Sequence, residues 1–255
     1  MKRVVSIAAS CWLLTAATAR PDGGLPLEDD AAEAFLKSAR VVKRKPLAVG
    51  ITRSTQLGLA DGARRAHAVW KTIEAPEVND SWKHEVAAYE LDKLVGTGLV
   101  PPTVERTIDG TTGSLQLWVE KAATEADRQN RHVAPKDAEA WSRQVCGVRL
   151  LHLLTANADA RNDLNVIFDP GFRVYAVDFS RAFAPEDALR TGVELARFSR
   201  RTLERLRALD RPALDARLSA WLDPLQIESL LRRRDLILAL AERLAAEKGE
   251  SSVLY

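Results

Sequence analysis

Two cysteines, one methionine and three tyrosines among 255 residues are few, and the charge is nearly cancelled, with 37 Lys and Arg against 35 Asp and Glu. So small a cysteine count excludes a disulfide framework. A net charge of +2 argues against a polyanion binder, because nucleic-acid binding domains concentrate a basic excess on one face. Nucleic acid is therefore not an expected partner. Collagen-like, repeat and disordered compositions are excluded as well, since 46% of the residues are hydrophobic and 28% charged, the balance of an ordinary globular domain.

Long hydrophobic runs are also scarce. Met1, Lys2 and Arg3 precede an uncharged stretch from Val4 to Ala19 that closes on Ala17-Thr18-Ala19. It is shorter than the roughly 20 residues of a bilayer span, and a basic start, an apolar centre and small residues at the end are the pattern of a secretory signal peptide. Cleavage after Ala19 is expected, giving an exported protein, periplasmic or secreted, with no stable membrane span. Cys11 would leave with the peptide. Cys146, beside Val145 and Val148 on an apolar helical face, would remain as a buried and unreactive thiol.

The remaining chain reads as β-rich first and α-rich second. Asp29 to Lys37, acidic first and basic last, suits a short helix. Val41 to Val49, Gln56 to Leu59 and His67 to Ile73 are β-like, with Asp61-Gly62 a hairpin turn, so three antiparallel strands are predicted. Ser81 can cap a helix running to about Val95 and stopped at Gly96. Val100 to Val104, a turn bounded by Asp109-Gly110 and Gly113, and an alternating run from Ser114 to Glu120 complete a sheet of about five strands around one helix. Residues 122–135 read as a surface connector. Helical periodicity then covers Asp137 to Thr155 and residues 186–248, with Arg232-Arg233-Arg234 taken as a solvated face. His84, His132 and His152 share no metal-ligand spacing with one another or with Cys146, so no zinc site is predicted.

One β interruption lies within the helical half, from Asn165 to Asp178. Asp169-Pro170-Gly171 makes it a hairpin, and adjacent strands are only about 4.8 Å apart, so Asn165 and Asp178 must converge at its open end. An amide oxygen and a carboxylate are hard ligands of the kind that Mg²⁺ or Mn²⁺ takes together with water and phosphate oxygens. Asp159, in the loop just before, can supply a base.

In order along the chain stand Lys71 in Ala-Val-Trp-Lys, Glu85 in Trp-Lys-His-Glu on the following helix, the loop Asn157 to Asn165, and Asp178-Phe179-Ser180. This series resembles the protein-kinase-like fold, in particular its atypical branch with the HipA toxin kinase, the phosphoinositide kinases and the secretory-pathway kinases, and within it exported bacterial proteins. The resemblance spans roughly residues 35 to 240. It implies an α+β, two-lobed molecule: a β-rich N-lobe over residues 20–121 with a leading helix, and a helical C-lobe over 122–255 that carries the metal-site hairpin. It implies ATP and Mg²⁺ or Mn²⁺ as cofactors, and a hydroxyl on an unknown protein or small molecule as phosphate acceptor. Lys71 would meet the nucleotide phosphates and Glu85 would hold that lysine. Asp159 would act on the acceptor hydroxyl, and Asn165 and Asp178 would bind the metal. Thr52, in the first hairpin turn, would approach phosphate, and Glu120 falls at the adenine-binding hinge.

Two departures from the pattern stand out. Asp159 and Asn165 are six steps apart where five are usual, as though Ala160 were inserted, and counting back five lands on Ala160. Either the loop bulges to keep Asp159 in place, or Asp163 substitutes, or the chain is an exported pseudokinase that binds nucleotide without transferring phosphate. The glycine-rich loop is also absent, its place taken by Gly50-Ile51-Thr52-Arg53-Ser54.

Overall fold

The computed structural model describes residues 30–47 and 54–255. The expected signal peptide, Cys11, Thr52 and most of the first hairpin turn lie outside the described residues. Helix α1, Asp30–Ser38, buries Ala32, Phe35 and Leu36. It is followed by strands β1, Arg40–Pro46; β2, Thr55–Asp61; and β3, Arg64–Lys71, paired antiparallel as expected. A small hairpin of β4, Glu74–Ala75, and β5, Asp80–Ser81, encloses a 3₁₀ turn at Pro76–Val78. The predicted cap then holds: Ser81 accepts the Lys83 N–H at the start of α2, Trp82–Val95, and Gly96 ends the helix in the left-handed region at φ 70°.

Strands β6, Thr103–Ile108, and β7, Thr111–Leu117, complete a five-stranded antiparallel sheet in the order β1-β2-β3-β7-β6. The turn between them is Asp109-Gly110, and Gly113 lies inside β7 rather than bounding the turn. A Cβ at Gly113 would come within 2.3 Å of the Lys71 carbonyl oxygen, so the missing side chain lets β7 pack against the end of β3 where Lys71 sits. Leu115 and Leu117 join Leu57, Leu59, Ala68, Phe35 and Leu36 in one core.

The stretch expected to be a bare connector contains β8, Ala123–Thr124, and α3, Glu125–Asn130. Thr124 and Asp127 form a reciprocal capping box, the short-range signal that a reading of polarity alone passes over. After α4, Ala138–Leu154, the predicted hairpin appears as β9, Val166–Phe168, and β10, Val174–Ala176, with β8 added at its edge. Asp169 Oδ1 accepts the N–H groups of Gly171 and Arg173 and so shapes the turn.

Helical structure resumes only at α5, Arg200–Ala208, followed by α6, Arg211–Leu218; α7, Pro224–Lys248; and α8, Glu250–Val253. Residues 186–199 are irregular, contrary to the periodicity reading. A second, larger core gathers α4 to α7 and the hairpin, and takes in Ala87, Ala88, Leu91 and Val95 of α2. Helix α2 thus rests against β6 and β7 on one side and α5 and α6 on the other. It belongs in sequence to the first half and in packing to both. Among the described residues no helix is long and apolar enough to cross a membrane.

The Arg232-Arg233-Arg234 run is not a uniformly solvated face. Arg232 is exposed and pairs with Asp187, but Arg233 is wholly buried. Its guanidinium donates to the carbonyls of Leu154, Ala184 and Glu186, and burial lowers its pKa to about 10. One cation thereby ties α7 to the end of α4 and to the irregular segment that follows the hairpin. Arg233→Ala would remove the buried guanidinium that joins these carbonyls and is expected to cost on the order of 3 kcal/mol or more. Arg232→Ala is expected to stay within about 0.5 kcal/mol of the parent. Urea unfolding of the two variants measures the contrast.

Candidate active site

Lys71 ends β3 in the middle of the sheet, opposite Ser114 of β7. Glu85 lies one turn into α2, and Asp178 follows β10. These three distant side chains meet. Lys71 Nζ donates to Glu85 Oε1 at 2.5 Å and to Asp178 Oδ1 at 2.6 Å. Burial alone would weaken the ammonium, but the Glu85 and Asp178 carboxylates outweigh it and hold the lysine pKa above its ordinary value. Burial, helped by the neighbouring Asp178 carboxylate, holds the Glu85 carboxyl above its ordinary pKa against the downward pull of Lys71. Both of its oxygens accept hydrogen bonds, Oε2 from the Phe179 N–H at 3.1 Å, an arrangement suited to the ionised form at neutral pH. With all three groups charged the cluster carries one surplus negative charge.

Asp178 adopts φ 64°, in the left-handed region that costs a non-glycine residue about 1 kcal/mol and persists only where neighbours impose it. The neighbours are visible. Asn157 Nδ2 donates to the Asp178 carbonyl at 3.4 Å, and Glu85 fixes the next N–H. The Ser180 carbonyl accepts both the Ser81 N–H at 2.9 Å and His84 Nδ1 at 2.8 Å. Asn79 holds the Ala182 carbonyl, and Gln226 the Phe183 carbonyl. The start of α2 and the segment from Asp178 to Phe183 are therefore bolted together.

Asn165 and Asp178 do converge at the hairpin's open end, where the Val177 N–H donates to the Asn165 carbonyl at 2.9 Å. The Asn165 side chain is buried, its Oδ1 accepts from Asn162 at 3.4 Å, and its Nδ2 lacks a partner among the described residues. Asp178 Oδ1 is taken by Lys71, and Oδ2 has no protein partner among the described residues. An amide oxygen, a half-exposed carboxylate and a surplus negative charge fit a hard divalent cation whose other ligands come from phosphate and water. No group of three His, Cys, Asp or Glu suited to a metal occurs among the described residues.

The six-step loop is taken up by successive turns, with the N–H groups of Ala160, Asn162 and Asn165 donating to the carbonyls of Asn157, Asp159 and Asn162. The Asp159 N–H is held by Asn157 Oδ1 at 2.9 Å, and its carboxylate accepts from Arg181 at 3.3 Å. Asp163 is engaged elsewhere: its carboxylate accepts from Gln129 of α3 at 3.1 Å. Glu120 lies past the end of β7, exposed, with His67 Nδ1 at 2.6 Å. Thr52 is not among the described residues.

Sequence reasoning missed two histidines and Asn157. His84 precedes Glu85 and is buried; its Nδ1–H donates to Ser180, so Nε2 accepts from Gln226 at 3.1 Å. His152 ends α4, stacks on Phe179 with ring centroids 5.4 Å apart, and accepts from Asn157 Nδ2 at 3.2 Å. Asn157, fully buried, joins His152, Asp159 and Asp178. Neither histidine has the metal-ligand spacing that would mark it in the sequence. The available signal was proximity in sequence to Glu85 and Asn157.

Comparison with solved structures finds similarity to a Helicobacter pylori proinflammatory kinase, CtkA, with a TM-score of 0.55 and 10% identity over 84% of this chain and 98% of that one. No protein-family model and no curated protein matches the sequence. At that identity the likeness is one of fold, and the fold is kinase-like: a five-stranded sheet with its helices, then a helical part.

Burial lowers the His152 pKa from 6.5 to about 4 and lowers that of His84 as well. Between those values the unfolded chain binds the extra protons, so stability is full above pH about 6.5 and falls as the pH drops toward 4, by on the order of 3 kcal/mol from His152. His152→Gln is expected to flatten that part of a stability-versus-pH curve measured by urea unfolding. An unchanged slope would contradict the assignment.

Proposed function

We propose that the chain is an atypical kinase-like phosphotransferase that uses ATP with Mg²⁺ or Mn²⁺. The observation that carries this reading is the single ammonium, Lys71, held by Glu85 and Asp178 from three separate elements. Phosphoryl transfer asks little covalent chemistry of a protein; it asks for positioned charge. Lys71, fixed at a point by two carboxylates, is poised to meet nucleotide phosphates, and Glu85 keeps it there. Asn165 and Asp178 would hold the ion, which would supply positive charge against that of the phosphates. Asp159 would accept or orient the proton of the acceptor hydroxyl, with Asn157 and Arg181 fixing its place. Main-chain groups near Glu120 would face the adenine. Residues 1–19 would direct export, and ATP or another phosphate donor would be met wherever the protein acts.

A second reading is supported by a specific contact. Asp159, the proposed base, is already paired with Arg181 and stands six steps from Asn165, and a misplacement near 1 Å costs about a hundredfold in rate. A pseudokinase would keep nucleotide without transfer.

Calorimetric nucleotide binding and labelled-phosphate transfer, each with Mg²⁺ or Mn²⁺, test both readings. For the enzyme, Asp178→Ala is expected to abolish metal-dependent binding, and Asp159→Asn to leave binding within about threefold while lowering transfer at least about a hundredfold. Binding indifferent to Asp178→Ala would reject the metal assignment. Binding with no transfer in the parent would establish the second reading.

A further inference from the structure

A cleft of about 550 Å³ lies between the hairpin of β4 and β5, the start of α2 and the connection from α6 to α7. It shares no residue with the Lys71 cluster. Three carboxylates line it, those of Glu74, Asp80 and Asp223, against the single ammonium of Lys83. Lys83 is matched by Glu74 at 3.3 Å, and Asp223 accepts the Leu225 and Gln226 N–H groups as the cap of α7. His84 adds no charge, because its Nδ1–H donates to Ser180, its Nε2 accepts from Gln226, and burial keeps its pKa below the ordinary value. Asp80 remains.

Asp80 is only 7% exposed. Its Oδ1 is buried with no hydrogen-bond partner, and among the described residues no Lys, Arg or His nitrogen lies within ion-pair distance of it. Buried acceptors are almost always paired, and an uncompensated buried carboxylate is costly, so the place opposite Asp80 calls for a donor that the described chain does not supply. Its surroundings favour a cationic one. Helix α6 ends at the cleft wall, where Ser219 is its last cap, and the carbonyl end of a helix carries partial negative charge. Arg217 of that last turn is engaged by Glu90 instead. Trp221 forms another part of the wall, its indole Nε1–H anchored on Glu105 at 2.7 Å. An indole offers apolar surface to an aliphatic stem and attracts a cation over its face.

We propose that this cleft binds a small organic monocation, a primary ammonium or a guanidinium on a short aliphatic stem, with its charged head on Asp80. A charge-assisted hydrogen bond completes the buried carboxylate, the stem lies along the Trp221 wall, and the site stands independently of the nucleotide reading. Calorimetric titration of the full chain with butylamine and with butylguanidine, both protonated at pH 7, is the test, with butanol as the uncharged control at constant ionic strength. Both cations are expected to bind the parent more tightly than butanol does. Asp80→Asn, which keeps the shape and removes the charge, is expected to weaken them by about tenfold or more. Ser219→Lys places a competing ammonium at an exposed residue of the wall, where a cation suits the end of α6 and the fold is retained, and is expected to weaken them by a similar factor. Tighter binding of butylguanidine assigns the cleft to a guanidinium; tighter or equal binding of butylamine assigns it to an ammonium. Cation affinity no greater than that of butanol would overturn the proposal, as would unchanged affinity in Ser219→Lys or in an Asp80→Asn chain that melts like the parent. So would binding lost in Asp178→Ala, which would move the cation to the surplus negative charge of the Lys71 cluster.

Discussion

One buried ammonium shared by two carboxylates is the contact on which the rest of the structure depends. Lys71 comes from the sheet, Glu85 from the helix beside it and Asp178 from the hairpin of the helical half, so no two of them can keep the contact unless both cores are formed and correctly set. Removing charges from water costs several kcal/mol per ion, and the return comes only when every group is paired. Here the lysine is fully paired, but the two carboxylates together exceed it by one charge. Such a cluster is better suited to receiving a cation and polyanionic phosphates than to adding stability.

Helix α2 transmits that requirement. Its apolar side enters the larger core, its neighbours β6 and β7 belong to the sheet, and its first residues hold the segment after Asp178 through Ser81, His84 and Glu85. The left-handed backbone of Asp178 is maintained by those bonds and by Asn157 from the preceding loop. Arg233 acts on the far side of the same segment, binding the carbonyls of Ala184 and Glu186 to that of Leu154. The candidate site is therefore held by a polar frame of main-chain carbonyls and buried donors, within walls that are otherwise apolar.

Much of this was legible in the chain. The Ser81 cap, the Gly96 stop, the Asp61-Gly62 turn and the Asp169-Pro170-Gly171 turn are local signals with local causes, and each appears where expected. The convergence of Asn165 and Asp178 followed from hairpin geometry alone, whereas the meeting of Lys71 with Glu85 was expected only through family resemblance, because nothing local links residues 14 positions apart on different elements. What stayed hidden was long-range and polar. Arg233 looks like its neighbours in sequence, and only three carbonyls from two other segments distinguish it. His84 and His152 act through main-chain and amide partners, which leave no spacing to recognise. The short α3 was concealed by its polarity, although Thr124 and Asp127 carried its cap.

The most direct test is a crystal structure of the chain with a non-hydrolysable ATP analogue and Mn²⁺, located by anomalous scattering. The predicted result is a manganese ion ligated by Asn165 and Asp178, with the Lys71 amine on a phosphate oxygen and still bonded to Glu85. A nucleotide bound away from Lys71, or manganese bound without Asp178, would contradict the account.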